Sequence, residues 1–348
     1  MKANILYGIG DMRYEDTPQP QLKDGEVLVK VRACGICGSD IPRVFVNGTY
    51  HFPTIIGHEF SGEVVKTFSD EDNTLVGSRV SVFPLIPCGE CDSCKKGKYE
   101  LCSNYNYLGS RCDGGFAEYV AVPRKNLCFI PNGVSFEEAA MLEPSAVAIH
   151  ALKLSGLRIG DTIAIFGPGT IGMIMAQLAR VAGASKILLI GRSQEKLDFA
   201  KSHLDIKYTC NSTDTDVKEY VMEQTGGRGV DVAIEGTGAG RTMDYCLDVV
   251  RTEGCILAMG NPHDDMLLTK TFYWKLLRKQ LRIQGTWNSS FGLKRNDWDD
   301  IFVLLERKQL NLKDLITHRM PLSDLKKGLE IMRTHSEYSN KVMIINDN

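Results

Sequence analysis

The 348 residues contain no uninterrupted apolar run long enough to span a bilayer, no excess of either charge, no internal repeat and no low-complexity tract. Each absence excludes a class of protein. A membrane-spanning helix needs about 20 consecutive apolar residues. With 41 Lys and Arg against 43 Asp and Glu, the net charge is −2 and provides no long-range pull toward nucleic acid or an anionic membrane surface. Met1-Lys2-Ala3-Asn4 leads straight into strand-like sequence without an apolar signal core, so a soluble, cytoplasmic protein is expected. Disulfides are not expected. The clustered spacing of the 11 cysteines favours metal ligands and free thiols in a reducing compartment. What remains is a globular composition, 43% hydrophobic and 24% charged, in a chain long enough for two domains.

Residues 25–33 (Gly-Glu-Val-Leu-Val-Lys-Val-Arg-Ala) alternate apolar and polar side chains, the pattern of a half-buried strand, and similar stretches recur to about residue 130. Pro18, Pro20, Gly25, Gly57, Gly62, Gly77, Pro84 and Pro87 punctuate them, which predicts a mainly β, barrel-like domain with long loops. One loop carries Cys88-Gly-Glu-Cys91-Asp-Ser-Cys94 and then Cys102. Four thiolates so spaced can close a tetrahedron around one zinc, and four protein ligands leave no open position, so this site is structural. Cys34, Cys112, Cys128, Cys210, Cys246 and Cys255 lack such spacing and are expected to be small buried residues.

A second constellation is dispersed. Thr54-Ile55-Ile56 delivers His58 and Glu59 between Gly57 and Gly62; Cys37 lies upstream in Cys37-Gly38-Ser39-Asp40 and Glu143 downstream in Glu143-Pro144. Thiolate, imidazole and carboxylate together suit a zinc that keeps one position for water or substrate. From Ser135 the pattern turns helical, and the domain crossover is expected near residue 148.

Thr162-Ile-Ala-Ile-Phe166 then reads as a strand buried on both faces of a parallel sheet. It runs into Gly167-Pro168-Gly169-Thr170-Ile171-Gly172 and a helix over 173–180. Strand, Gly-x-Gly-x-x-Gly and helix in that order form a dinucleotide fingerprint, with the helix N-terminus facing a pyrophosphate. The next strand, Lys186-Ile-Leu-Leu-Ile190, ends in Gly191-Arg192-Ser193 where NAD-binding chains place an acidic residue on the ribose. Arg192 and Ser193, with Lys196 one turn on, predict that NADP(H) is favoured, with NAD(H) possible. Thr237 and Gly260 follow two further strands and suit the passage of the cofactor across the sheet's carboxyl edge.

Cys37-Gly-Ser-Asp together with Gly57-His-Glu-Phe-Ser-Gly62 closely resembles the zinc-dependent medium-chain alcohol and polyol dehydrogenases, and the resemblance covers essentially the whole chain. It implies an α/β fold in which a Rossmann doubly wound parallel sheet (148–286) is inserted into a mainly β, GroES-like catalytic domain (1–147 and 287–348), with the active site between them. Cys37 and His58 would be zinc ligands, Glu143 the third ligand or the holder of a zinc-bound water, and Glu59 either a ligand that exchanges with substrate or a carboxylate behind the ligands. Glu143-Pro144 matches the polyol branch. Ser39 matches the hydroxyl that starts the proton relay, while Pro42 stands where some relatives have the outer histidine. Lys341 matches a basic residue on the cofactor pyrophosphate. The Cys37–Gly48 stretch, Pro84-Leu-Ile-Pro-Cys88 and Gly-Ser-Arg111 most resemble the polyol-phosphate dehydrogenases of the family, and that resemblance implies a secondary alcohol of a polyol phosphate, similar to galactitol 1-phosphate, as substrate. An unphosphorylated polyol such as sorbitol, or a simple secondary alcohol, is the alternative, and a non-catalytic nucleotide-binding protein of the same fold a remote one. Arg43 and Arg111 are the expected phosphate contacts, with Lys294 and Arg295 further candidates; a homodimer or homotetramer is expected.

Overall fold

Val27, Val29 and Val31 are fully buried along the ten-residue strand Glu26–Gly35, and this strand organises the first of two units. The structure is a computed structural model describing residues 1–262, 265–292 and 295–346. The chain divides into Met1–Pro144 with Ser290–Asn348, and Ser145–Ser289. The expected crossings, 147/148 and 286/287, each lie three residues from these boundaries.

In the first unit, strand order runs Leu127–Phe129, Arg79–Val82, Glu59–Thr67, Glu26–Gly35, Lys341–Ile345, Ile316–Pro321, with Tyr119–Pro123 also paired to Glu26–Gly35. Lys341–Ile345 lies antiparallel to Glu26–Gly35, with Met343 opposite Gly35, which places the last strand next to the turn carrying Cys37. A core of Val27, Val29, Val31, Phe60, Phe116 and Ile344 fills this unit. Ser135 and Glu138 close a capping box on the helix Phe136–Ala140. The helix Leu142–Ser155 follows, with Glu143 and Pro144 in its first turn, where proline costs no helical hydrogen bond.

The second unit is a parallel sheet in the order Tyr208–Asn211, Lys186–Gly191, Thr162–Phe166, Val230–Glu235, Val250–Ala258, Arg282–Gly285. Order reverses between Lys186–Gly191 and Val230–Glu235 on either side of Thr162–Phe166, and the crevice beyond the carboxyl ends at such a switch point binds ligands. Asp231 ties the opposite end: its carboxylate accepts from the Thr162 N–H at 2.8 Å, the Thr162 hydroxyl at 2.9 Å, Arg228 at 2.7 Å and Arg251 at 2.6 Å.

Of the six cysteines expected to be small buried residues, Cys34, Cys128, Cys210, Cys246 and Cys255 are buried. Cys112 is only half-buried: it sits on the turn that follows Gly109 and packs against the first unit's core from outside. No described helix is long and apolar enough to cross a membrane.

Candidate active site

Gly57 sits at φ +100° between the strands Thr54–Ile55 and Glu59–Thr67, a backbone setting that favours glycine. The bend presents His58 and Glu59 at the beginning of the second strand. The loop 109–116 packs directly on it. The N–H of Gly115 donates to the Gly57 carbonyl at 2.8 Å, and a Cβ on Gly114 would overlap that carbonyl, so the paired glycines permit this close approach. Cys37 follows the strand Glu26–Gly35, which pairs with Glu59–Thr67 through Gly35 and Glu59. This pairing brings together ligand atoms of Cys37, His58 and Glu59, all within 4.8 Å of one another.

Charge suits this trio to a metal ion. Burial, reinforced by the Glu59 and Asp40 carboxylates, pushes the Cys37 thiol up to about 12. A buried thiol beside two carboxylates gives up its proton only to a compensating cation, and a zinc ion meets that requirement with this donor set. Glu143 stands outside the trio. Its Oε1 accepts from the Tyr107 hydroxyl at 3.1 Å, and burial raises its carboxyl above the usual range, with His58 opposing and Glu59 adding to the effect.

Behind the trio, Lys341 donates to Glu59 Oε2 at 2.5 Å and to the Ile36 carbonyl at 3.0 Å. Lys341, expected on a cofactor pyrophosphate, is buried with its ammonium on Glu59, because the last strand pairs beside Gly35 and points it inward. Asp40 is fully buried and receives the Cys37 N–H at 2.9 Å and Arg43 at 3.0 Å; its other approach is to His58 Nδ1 at 3.6 Å, an atom without a hydrogen-bond partner among the described residues. The Ser39 hydroxyl donates to Cys37 Sγ at 3.2 Å and accepts from Arg43 at 2.8 Å. The Arg111 guanidinium lies between two rings, 4.2 Å from the Tyr50 centroid and 4.4 Å from that of Tyr105. Tyr105 meets Tyr107 edge-on at 6.3 Å, and Tyr107 meets His58 at 5.8 Å. Lys294 lies outside the described residues; Arg295 begins the short strand Arg295–Asn296.

Cys88, Cys91, Cys94 and Cys102 converge, with sulfur atoms within 4.8 Å and none in a disulfide. Backbone N–H groups of Cys94 and Ser103 pull the Cys91 thiol down, while burial pushes that of Cys94 up.

In the second unit, Gly167 adopts φ +107°, a Cβ on Gly172 would overlap the Gly167 carbonyl, and the space beside Gly169 is open. The turn folds tightly onto its own helix, Thr170–Val181, and leaves its outer face free for a pyrophosphate. Thr237 donates to the buried Glu235 carboxylate at 2.7 Å, and Gly260 packs on the backbone of Thr237 and Gly238. Arg192 is exposed and Lys196 half-buried; neither side chain has a hydrogen bond or ion pair among the described residues.

Residues 23–132 match the alcohol dehydrogenase GroES-like domain and residues 170–307 the zinc-binding dehydrogenase domain. Galactitol 1-phosphate 5-dehydrogenase of Escherichia coli (strain K12) is 36% identical over 321 residues, 92% of either chain. The chain belongs to the zinc-dependent medium-chain dehydrogenases, in their polyol branch. Sorbitol dehydrogenase of Halalkalibacterium halodurans is 32% identical over 338 residues, 96% of either chain. The crystal structure of galactitol-1-phosphate dehydrogenase from Escherichia coli matches with a TM-score of 0.93 at 33% identity, covering 99% of this chain and 100% of that one.

As a zinc-dependent medium-chain dehydrogenase it is an oxidoreductase of CH–OH groups that uses zinc and a nicotinamide dinucleotide. Two residues around the trio, Asp40 and Tyr107, escaped the sequence reading, which gave Lys341 a role other than its contact with Glu59. Asp40 carried a signal, three residues after Cys37 in the same turn. Tyr107 and the inward role of Lys341 carried none, since both depend on strands that meet across distant sequence.

Proposed function

We propose that this dehydrogenase oxidises a secondary alcohol of a polyol phosphate, of the galactitol 1-phosphate kind, to the corresponding keto-sugar phosphate, with NADP(H) as the favoured partner. The observation that carries the phosphate is Arg111. Its guanidinium lies over the Tyr50 and Tyr105 rings and donates to the Tyr50 hydroxyl and the Tyr105 carbonyl, each at 3.3 Å, at the far end of the aromatic series that leads through Tyr107 to His58. A planar fork so held is suited to a phosphate dianion. The relative acting on galactitol 1-phosphate supports the reading. The second reading, an unphosphorylated polyol, is favoured by the commitment of Arg43 to Asp40 and Ser39, which leaves one arginine where two were expected.

Cys37, His58 and Glu59 would hold the catalytic zinc, with Glu143 a further ligand or the holder of a water, and Cys88, Cys91, Cys94 and Cys102 the structural one. When bound, zinc supplies a Lewis acid and the nicotinamide ring a hydride acceptor. The protein handles the proton. Ser39 offers a hydroxyl beside Cys37, and Arg43 orients it by donating to its oxygen. A guanidinium has no acceptor, so Arg43 positions Ser39 without receiving its proton. Gly191, Arg192, Ser193 and Lys196 support NADP(H): glycine stands at the end of the second strand, where NAD-binding chains place an acid, and two cations follow within the next helical turn.

A homodimer or homotetramer is supported by the strand Arg282–Gly285, which pairs on one side only among the described residues, with Ile283 and Trp287 exposed beside it. A reducing, cytoplasmic setting is supported by 11 cysteines without a disulfide. The deciding experiment compares kcat/KM for galactitol and galactitol 1-phosphate with NADP+. Equal values would sink the phosphate.

A further inference from the structure

Gly191 ends the second strand of the parallel sheet, yet its backbone does not need glycine: it is not among the residues with positive φ. What it needs is room. A Cβ at this position would come within 3.0 Å of both Cγ and Cδ of Pro168, the middle residue of the Gly167-Pro168-Gly169 turn. The two positions are held against each other by the sheet. The N–H of Gly167 donates to the Ile190 carbonyl at 2.9 Å, Phe166 is in register with Ile190, and the N–H of Ser212 fixes the Gly191 carbonyl from the other side at 2.9 Å. The proline ring is fused to a turn that itself packs on Gly172, so neither partner can retreat cheaply.

We propose that Pro168 and Gly191 form a coenzyme-specificity lock: the proline ring occupies the side-chain space from which an acidic residue 191 would grip the ribose hydroxyls of NAD+. Dinucleotide sites that prefer NAD+ place such a residue at the end of the second strand, about 20 residues after the glycine motif. In this chain that choice is closed by sterics before charge is considered. Recognition at the ribose end passes to Arg192, to Lys196, and to Ser193, whose hydroxyl oxygen caps the helix Gln194–Leu204 by accepting from the Lys196 N–H and leaves its proton free. The lock rests on the reading that a dinucleotide lies across the Gly167–Gly172 turn. It does not depend on which coenzyme wins in the native protein.

The test is a double-mutant cycle read by direct binding of NADP+ and NAD+, by calorimetry, and by thermal unfolding of the full chain. Gly191→Asp alone is expected to weaken both coenzymes and lower Tm, with the ratio of their affinities changed less than threefold. In a Pro168→Ala background the same substitution is expected to shift that ratio at least tenfold toward NAD+. Should Gly191→Asp not fold in the native background, Gly191→Ala carries the test without a charge: it lowers Tm, and Pro168→Ala relieves the loss. An equal shift toward NAD+ in both backgrounds, or an unchanged Tm for Gly191→Ala, overturns the lock. Tighter native binding of NAD+ than NADP+ overturns instead the role given to Arg192, and no detectable binding of either coenzyme overturns the dinucleotide reading.

Discussion

Lys341 Nζ and Glu59 Oε2 lie 2.5 Å apart, with the two side chains 4% and 1% exposed. The pair joins the last strand to the strand that begins at the metal site, and a buried ion pair is costly to break from one side because it leaves an uncompensated charge. Lys341→Met is therefore expected to lower the unfolding free energy by about 3–5 kcal/mol in denaturant titrations. A variant of unchanged stability that binds coenzyme about tenfold more weakly, a loss of about 1.4 kcal/mol, would return Lys341 to the pyrophosphate.

The two metal sites should separate by mutation. Cys37→Ser is expected to abolish turnover and remove one zinc per chain while the protein stays folded and binds coenzyme. Cys91→Ser should instead reduce thermal stability, since a closed tetrathiolate contributes folding free energy directly. Metal analysis beside calorimetric unfolding decides between them, and equal stability with equal inactivity in both variants would contradict this division.

Arg192→Ala is expected to weaken NADP+ by roughly ten- to a hundredfold while leaving NAD+ within about twofold, the range that one charge-assisted hydrogen bond spans. Steady-state kinetics with both coenzymes gives the answer. A native kcat/KM higher with NAD+ would assign Arg192 to solvent.

Asp231 provides a pH-dependent check on the second unit. Although burial pushes its carboxyl up, hydrogen bonds from Arg228, Arg251 and Thr162 prevail and hold it well below the usual carboxylate range. A group with a depressed folded pKa contributes stability above its unfolded value, about 3.9, and that contribution is lost as pH falls through the folded value. Asp231→Asn is expected to cost about 1–3 kcal/mol at neutral pH. The difference from the native chain should stay constant down to about pH 5 and shrink only below about pH 4. A gap that closed between pH 7 and pH 5 would implicate another group.

Local pattern alone determined the parts of this protein whose chemistry is written in consecutive residues. The four cysteines of the loop 88–102 converge because short spacings leave thiolates few other common centres, and Gly167–Gly172 is legible because a turn, a close approach and a helix start each demand a residue type in order. The apolar run Thr162–Phe166 announced a doubly buried strand for the same reason. The short strand Tyr208–Asn211 did not, since so few residues, only one of them fully buried, carry little period. Tertiary structure decided what depends on distant segments meeting. Residue types nominated Cys37, His58 and two glutamates; strand pairing through Gly35 and Glu59 chose Glu59 as the third member of the trio and left Glu143 on Tyr107. Lys341 turned inward because the last strand docks beside Gly35, and Gly191 is a glycine because Pro168, 23 positions earlier in the chain, stands in its way. Such contacts are set by register and volume, which one-dimensional spacing does not encode.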